Sequence, residues 1–226
     1  MKITLLIGLV SASWLMSPTH AQRRKDRDKQ EGKEEGVLTR LEGESMAAEG
    51  MKFMMKEEPD RALPVFEKHA LLSPQDAAAH YMVATALVKL EKYDDAINAS
   101  KKAHDLDKEN IFYSQKLAEL YAKRRKYSEA AQIYETLVAK NPENIEYGIE
   151  LAAVYVFADQ FDKAIETYNK LEKSMGVTEE ITHQKQQLYL RQNNLDKALA
   201  EGKKLIDAEP GEVSYRVELA EMLIAN

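Results

Sequence analysis

The side chains that could do chemistry in this sequence are five histidines and 38 carboxylates, with no cysteine. The histidines are His20, His69, His80, His104 and His183. No two stand three or four residues apart, the helical spacing that aims two imidazoles at one metal ion. Without a thiol there is no disulfide framework, no thiolate metal site and no cysteine nucleophile. The sequence carries no glycine-rich phosphate loop, nucleophile elbow or zinc-protease helix pattern. Its carboxylates are spread as solvated helix faces, so no spacing singles out an acid–base pair. Asn98-Ala99-Ser100 meets the glycosylation pattern but falls in a helical stretch. The expectation is a protein that binds and does not catalyse, with no catalytic residue, cofactor or metal ligand.

The elements that hold these residues are helices. Only 9 Gly and 6 Pro occur in 226 residues, while Ala, Leu, Glu, Lys and Tyr dominate, so the composition is all-α. A hydrophobic content of 44% suffices to bury a core. The formal charge of -6 argues against binding nucleic acid.

Residues 1–21 read as a secretory signal peptide: a positive start at Lys2, an apolar run from Ile3 to Met16, and a small-residue end at Thr19-His20-Ala21. The run is shorter than the roughly 20 residues that cross a bilayer. Cleavage after Ala21 is expected, with an uncleaved membrane anchor as the alternative, although Arg23, Arg24 and Lys25 just beyond it resist translocation. The cleaved chain would be exported, periplasmic or secreted, without membrane insertion. Removing Lys2 leaves 31 basic and 38 acidic residues, a charge of 31 - 38 = -7. Residues 22–42 are expected as a charged, solvated linker and the start of the first helix, since 23–36 contain no apolar side chain that could bury surface.

Beyond the linker the sequence repeats every 34 residues. Ala62, Ala96, Ala130, Ala164 and Ala198 keep that interval. Asp60, Asp94, Ser128, Asp162 and Asp196 keep it two residues earlier and are expected as helix N-caps. Gly50, Ala84, Ala118 and Ala152 form a column of small residues broken at Gln186 and resumed at Ala220. Phe53, Leu87, Tyr121, Tyr155, Tyr189 and Leu223 form one of large residues. Neither helix of such a unit can bury its apolar stripe alone, so stability must come from stacking one unit on the next.

These columns resemble the tetratricopeptide repeat, a helix-turn-helix unit of 34 residues. The third unit shows it best: Leu117-Ala118, Tyr121, Ala130, Tyr134 and Pro142 occupy signature positions, with Ser114 in place of the opening aromatic. The resemblance covers 184 of 226 residues, as units 43–76, 77–110, 111–144, 145–178 and 179–212 and a partial sixth unit at 213–226. Pro74, Pro142 and Pro210 between units become Lys108 and Gly176 elsewhere, and Pro64 falls near the start of a second helix. The resemblance implies a right-handed α-solenoid whose first helices line a concave groove.

The groove residues so implied are Met51, Met54 and Met55; Tyr81, Thr85 and Lys89; Gln115, Glu119 and Lys123; Ile149, Ala153 and Phe157; and His183, Gln187 and Arg191. They give apolar ends and a polar middle, suited to an extended peptide or a helix. Val88, Ala122, Val156 and Leu190 share the stripe or tighten the superhelix, and Val37, Leu38 and Leu41 would cover the methionines. Some members of the family clamp a C-terminal carboxylate with Lys and Asn. The corresponding residues here are Tyr81, Thr85 and Glu119, which puts that ligand in doubt.

Leu219, Met222, Leu223 and Ile224 fall on a last helix with no second helix to cover it. That is expected if the chain is part of a longer protein, or if this helix self-associates. The sequence thus reads as a protein-binding scaffold of the bacterial envelope, or alternatively as the regulatory or targeting repeats of a longer enzyme or secretion-machine protein.

Overall fold

The computed structural model describes residues 18–225, so the leader lies outside the described residues up to position 17. The described residues form eleven helices and no strand: α1 (Pro18–Met55), α2 (Pro59–Leu72), α3 (Ala77–Lys89), α4 (Tyr93–Leu106), α5 (Ile111–Lys123), α6 (Tyr127–Lys140), α7 (Ile145–Phe157), α8 (Phe161–Met175), α9 (Glu179–Arg191), α10 (Leu195–Ala208) and α11 (Ser214–Ala225). None of them is long and apolar enough to cross a membrane. They stack in tandem as a right-handed α-solenoid.

Residues 22–42, expected as a charged linker and the start of the first helix, lie wholly within the single helix α1. Lys, Arg, Glu and Gln are good helix formers, and the pairs Arg27–Glu31 and Arg40–Glu44, each 3.5 Å, support it at i,i+4 spacing. Val37, Leu38 and Leu41 share this rigid helix with Met51 and Met55. They therefore cannot fold over the methionines, and all five are exposed.

The 34-residue period is fixed by three local devices. The first is an N-cap on four of the first helices, α3, α5, α7 and α9: Asp76, Asn110 and Asn144 accept from the amides of Ala78, Phe112 and Glu146 at 2.9, 3.1 and 3.1 Å, and Thr178 accepts from Ile181 at 3.3 Å. The residues expected as caps, Asp60, Asp94, Ser128, Asp162 and Asp196, instead occupy the second position of their helices. There a carboxylate still meets the positive helix end. Two of these residues reach the next unit: Asp94 takes both Nε and Nη2 of Arg124, at 3.0 and 2.9 Å, and Asp162 accepts from Gln192 at 2.9 Å.

The second device is the turn inside each unit. Glu57, Glu91, Arg125, Asp159 and Asn193 all have positive φ, between 54° and 59°. After α3, the amides of Lys92 and Glu91 donate to the carbonyls of Leu87 and Val88 at 2.9 and 3.0 Å, which is a Schellman closure built on a non-glycine residue. The third device is close packing. Ala62, Ala96, Ala130, Ala164 and Ala198 are each 0% exposed, so a single methyl fills every one of these helix contacts.

Pro64 is the sixth residue of α2, beyond the four amides that lack helical partners. Its missing N–H therefore removes an intrahelical bond, and its ring crowds the carbonyl of Asp60.

Candidate functional site

Consecutive first helices adjoin one another along one side of the stack. The Tyr81 ring of α3 lies 5.1 Å from Tyr113 of α5, residues of α7 and α9 wall a common pocket, and His183 Nε2 of α9 is 3.1 Å from Glu218 of α11. This is the side that the repeat resemblance makes concave.

The structure brings only some of the expected groove residues into play. Met51 and Met55 are exposed, whereas Met54 is half-buried against the core that contains Leu63 and Phe66. Tyr81 and Thr85 are half-buried, and the Thr85 hydroxyl donates to the Tyr81 carbonyl at 2.9 Å. Lys89, Gln187 and Arg191 are exposed. Lys123 places its ammonium 4.2 Å from the centre of the Tyr93 ring at the start of α4. Val88, Ala122 and Val156 pack against the core.

Ile149, Ala153 and Phe157 converge. Together with Val156 they form one wall of a pocket of about 260 Å³ whose other walls are Tyr168 and Met175 of α8, the capping residue Thr178, and Glu180, Ile181 and Gln184 of α9. Phe157 remains 66% exposed and stacks on Tyr127, with ring centroids 5.9 Å apart and planes at 16°. The pocket opens where the proline between units is replaced by Gly176, whose φ of 85° and ψ of -178° belong to a region essentially reserved for glycine.

One unit earlier the equivalent place is acidic. Ala153, Glu180 and Gln184 of the pocket correspond, 34 residues back, to Glu119, Glu146 and Glu150, and Tyr168 corresponds to Tyr134. Gln115 donates to Glu119 at 3.0 Å and Lys116 does so at 2.8 Å. Burial raises the Glu150 carboxyl above its ordinary value, and the charges of Glu119 and Glu146 push it in the same direction. Burial also raises the Tyr134 hydroxyl, aided by Glu150, Glu119 and Glu146. Three carboxylates therefore crowd around Tyr134, with one ammonium among them.

Glu146, Glu150, Glu180 and Gln184 were missed in the sequence because the stripe was drawn too narrowly. An apolar or functional face spans at least about 100° of a helix, which adds the residues one place after, and three before, Gln115, Ile149 and His183.

A second feature was not anticipated. Lys185 is 0% exposed, with its ammonium 2.5 Å from Glu172 and 2.7 Å from Glu201, and Lys204 lies 2.9 Å from each of the same two carboxylates. Burial works to raise the Glu172 carboxyl, but the hydrogen bonds from Lys185 and Lys204 outweigh it and hold the group below its usual value. This network joins α8, α9 and α10 where the interhelix alanine column is interrupted.

Three of the histidines take structural places. His69 is buried and pairs with Asp76 at 3.3 Å, His80 bonds to the Pro74 carbonyl at 3.0 Å, and His104 Nδ1 lies 3.0 Å from the Ser114 hydroxyl. His183 was expected in the groove. Its donor atom and carboxylate oxygens of Glu179 and Glu218 all lie within 4.8 Å of one another, a donor set whose separations a divalent cation could bridge. Ser100, the third residue of the glycosylation pattern, is fully buried on α4.

Known proteins give the stack its family. Family models described as tetratricopeptide repeat match residues 48–107, 87–148 and 121–178. No curated protein sequence matches the chain. Among solved structures, MamA from residue 41 to the end, from Desulfovibrio magneticus RS-1, is 19% identical, with 76% of this chain and 97% of that one covered and a TM-score of 0.61. Another MamA crystal structure is 20% identical over 77% and 95%, with a TM-score of 0.64. YrrB, described as a TPR protein with an unusual peptide-binding site, is 20% identical over 75% and 87%, with a TM-score of 0.59. These similarities show the shared fold. With the family models spanning residues 48–178, more than half of the chain, and helices recurring at the same interval, the chain belongs to the tetratricopeptide repeat family.

Proposed function

We propose that this protein is a non-catalytic scaffold that holds a segment of another protein across its first helices, at the bacterial cell envelope. The observation that carries this reading is the pocket between α7 and α9, where Ile149, Ala153 and Phe157 leave apolar surface open to solvent beside an acidic neighbour. Large exposed apolar side chains in a concavity are the usual mark of a docking surface. The described structure of YrrB as a peptide-binding repeat protein supports the reading by analogy of fold. The leader pattern of residues 1–21 supports the envelope.

The experiment is affinity capture from envelope extract with residues 22–226, in parallel with an Ile149→Ala/Phe157→Ala chain of equal helicity. Loss of the same captured protein from the variant supports the groove. Equal retention moves the contact to the second helices or to α11. A second reading, self-association, is favoured by α11, which buries none of its residues and exposes Val217, Leu223 and Ile224. It predicts a mass that grows with concentration.

A further inference from the structure

We infer that the partner segment is extended and carries a Lys or Arg three residues away from a large apolar side chain, the cation lying on Glu119, Glu146 and Glu150 and the apolar group entering the pocket beside Phe157. This inference rests on the groove reading above and adds the chemistry of what binds there.

The repeat itself supplies the geometry. Ala153, Glu180 and Gln184 wall one pocket, and their counterparts one unit earlier, Glu119, Glu146 and Glu150, hold the corresponding positions on α5 and α7, close enough for the charges of Glu119 and Glu146 to act on Glu150. The two sites differ only by one step of the solenoid, roughly the 10 Å width of a helix. Three residues of extended chain in the polyproline II conformation cover about that distance at roughly 3.1 Å each and, at three residues per turn, bring the side chain back to the same face. One peptide crossing the first helices in that conformation therefore presents side chains three positions apart to both sites.

The chemistry of the two sites differs. At the first, three carboxylates face a single ammonium, Lys116, which is already committed to Glu119 at 2.8 Å. Glu119 is half-buried while Glu146 and Glu150 are exposed, and the Glu150 carboxyl is held above its ordinary value by partial loss of solvent first and by the charges of Glu119 and Glu146 second. A guanidinium or ammonium from the partner would relieve the repulsion, whereas a carboxylate would add to it. At the second site Ile149, Val156, Phe157, Met175 and Ile181 supply the apolar walls beside the polar Glu180 and Gln184, and a volume of about 260 Å³ accepts one Leu, Met or Phe side chain. Met175, with its flexible side chain, can adapt to the shape that enters.

The test is selection of short random peptides on the full chain, followed by measurement of affinity for the enriched sequences. Enrichment of Lys or Arg three positions from Leu, Ile, Met or Phe, in either chain direction, is the expected result. Replacing the cation by Glu, or the apolar residue by Ser, should weaken binding by about tenfold or more. A Glu119→Gln/Glu146→Gln/Glu150→Gln chain should lose the preference for a cation and keep that for the apolar residue. A Phe157→Ser chain should do the reverse. Enriched peptides without the paired spacing, or no enrichment at all, would overturn the inference. Peptides that bind every variant as tightly as the native chain would overturn the groove reading itself.

Discussion

Gln186 of α9 faces Gly202 of α10, with sizes reversed from the units before. A Cβ on Gly202 would fall 2.6 Å from Gln186 Nε2, whereas in the third and fourth units the small residues Ala118 and Ala152 accompany the large Tyr134 and Tyr168. At the other end of the stack Gly50 accompanies Phe66, and a Cβ at Gly50 would lie within 2.7 Å of three atoms of that buried ring. Gly50→Ala should cost about 1–3 kcal/mol, because the ring cannot move without disturbing its packing. Gly202→Ala should cost less, since only the flexible ends of Gln186 and Leu219 must turn away. Chemical denaturation of the two variants measures the difference.

Pro64→Ala should stabilise the chain. The substitution restores the amide that can donate to the Asp60 carbonyl and removes a ring clash in the second turn of α2, a defect worth roughly 3 kcal/mol in an ordinary helix interior. The proline is exposed, so no packing is lost. A raised denaturation midpoint is expected, and an unchanged one would mean that α2 frays at that turn.

Lys185→Met should destabilise by roughly 3–5 kcal/mol, toward the lower end because Lys204 stays beside both carboxylates. The sign of the acid response follows from Glu172. Its folded-state value is depressed, so its stabilisation is present above the unfolded value of 4.5 and is lost as pH falls through the lower folded value. Acid unfolding of Lys185→Met should accordingly depend less steeply on pH below about 4.5 than that of the native chain.

Glu150→Gln should act in the opposite sense. Its folded-state value is raised above 4.5, so the folded chain binds the proton more readily and stability rises as pH falls through that window. At neutral pH the full repulsion is present, including that of Glu146 one helical turn away. Its removal should stabilise by roughly 0.2–0.5 kcal/mol. Melting curves at neutral pH and at about pH 4.5 test both parts.

The fold was legible because the repeat is a local signal. Ala62, Ala96, Ala130, Ala164 and Ala198 must be small wherever two helices touch, so period and helix content appear in the sequence directly. The caps were misplaced because Asp60 and its counterparts also favour the first turn of a helix, and composition does not separate the cap from the second position. The turn residues Glu91 and Arg125 carry no glycine, so their left-handed backbone leaves no sequence mark. The helical state of residues 22–42 was hidden by the absence of apolar residues, which signals solvation and not a lack of helix.

The candidate site was legible only in part for a different reason. Ile149, Ala153 and Phe157 could be placed on one stripe by periodicity, but the pocket they share depends on α8, α9 and the backbone of Gly176. Lys185 sits where a simple burial pattern expects an apolar residue, and only the three-dimensional neighbourhood of Glu172 and Glu201 accounts for it.

The central claim is that the partner is held on the first helices beside Phe157. Its most direct test is a photo-crosslinking amino acid placed in the full chain in living cells, at Phe157 or Gln187 in the groove and at Thr136 or Lys170 on exposed faces of the second helices. The account predicts one discrete crosslinked species from the groove positions and none from the others. Crosslinks of equal strength from Thr136 and Lys170, with Phe157 and Gln187 silent, would contradict it.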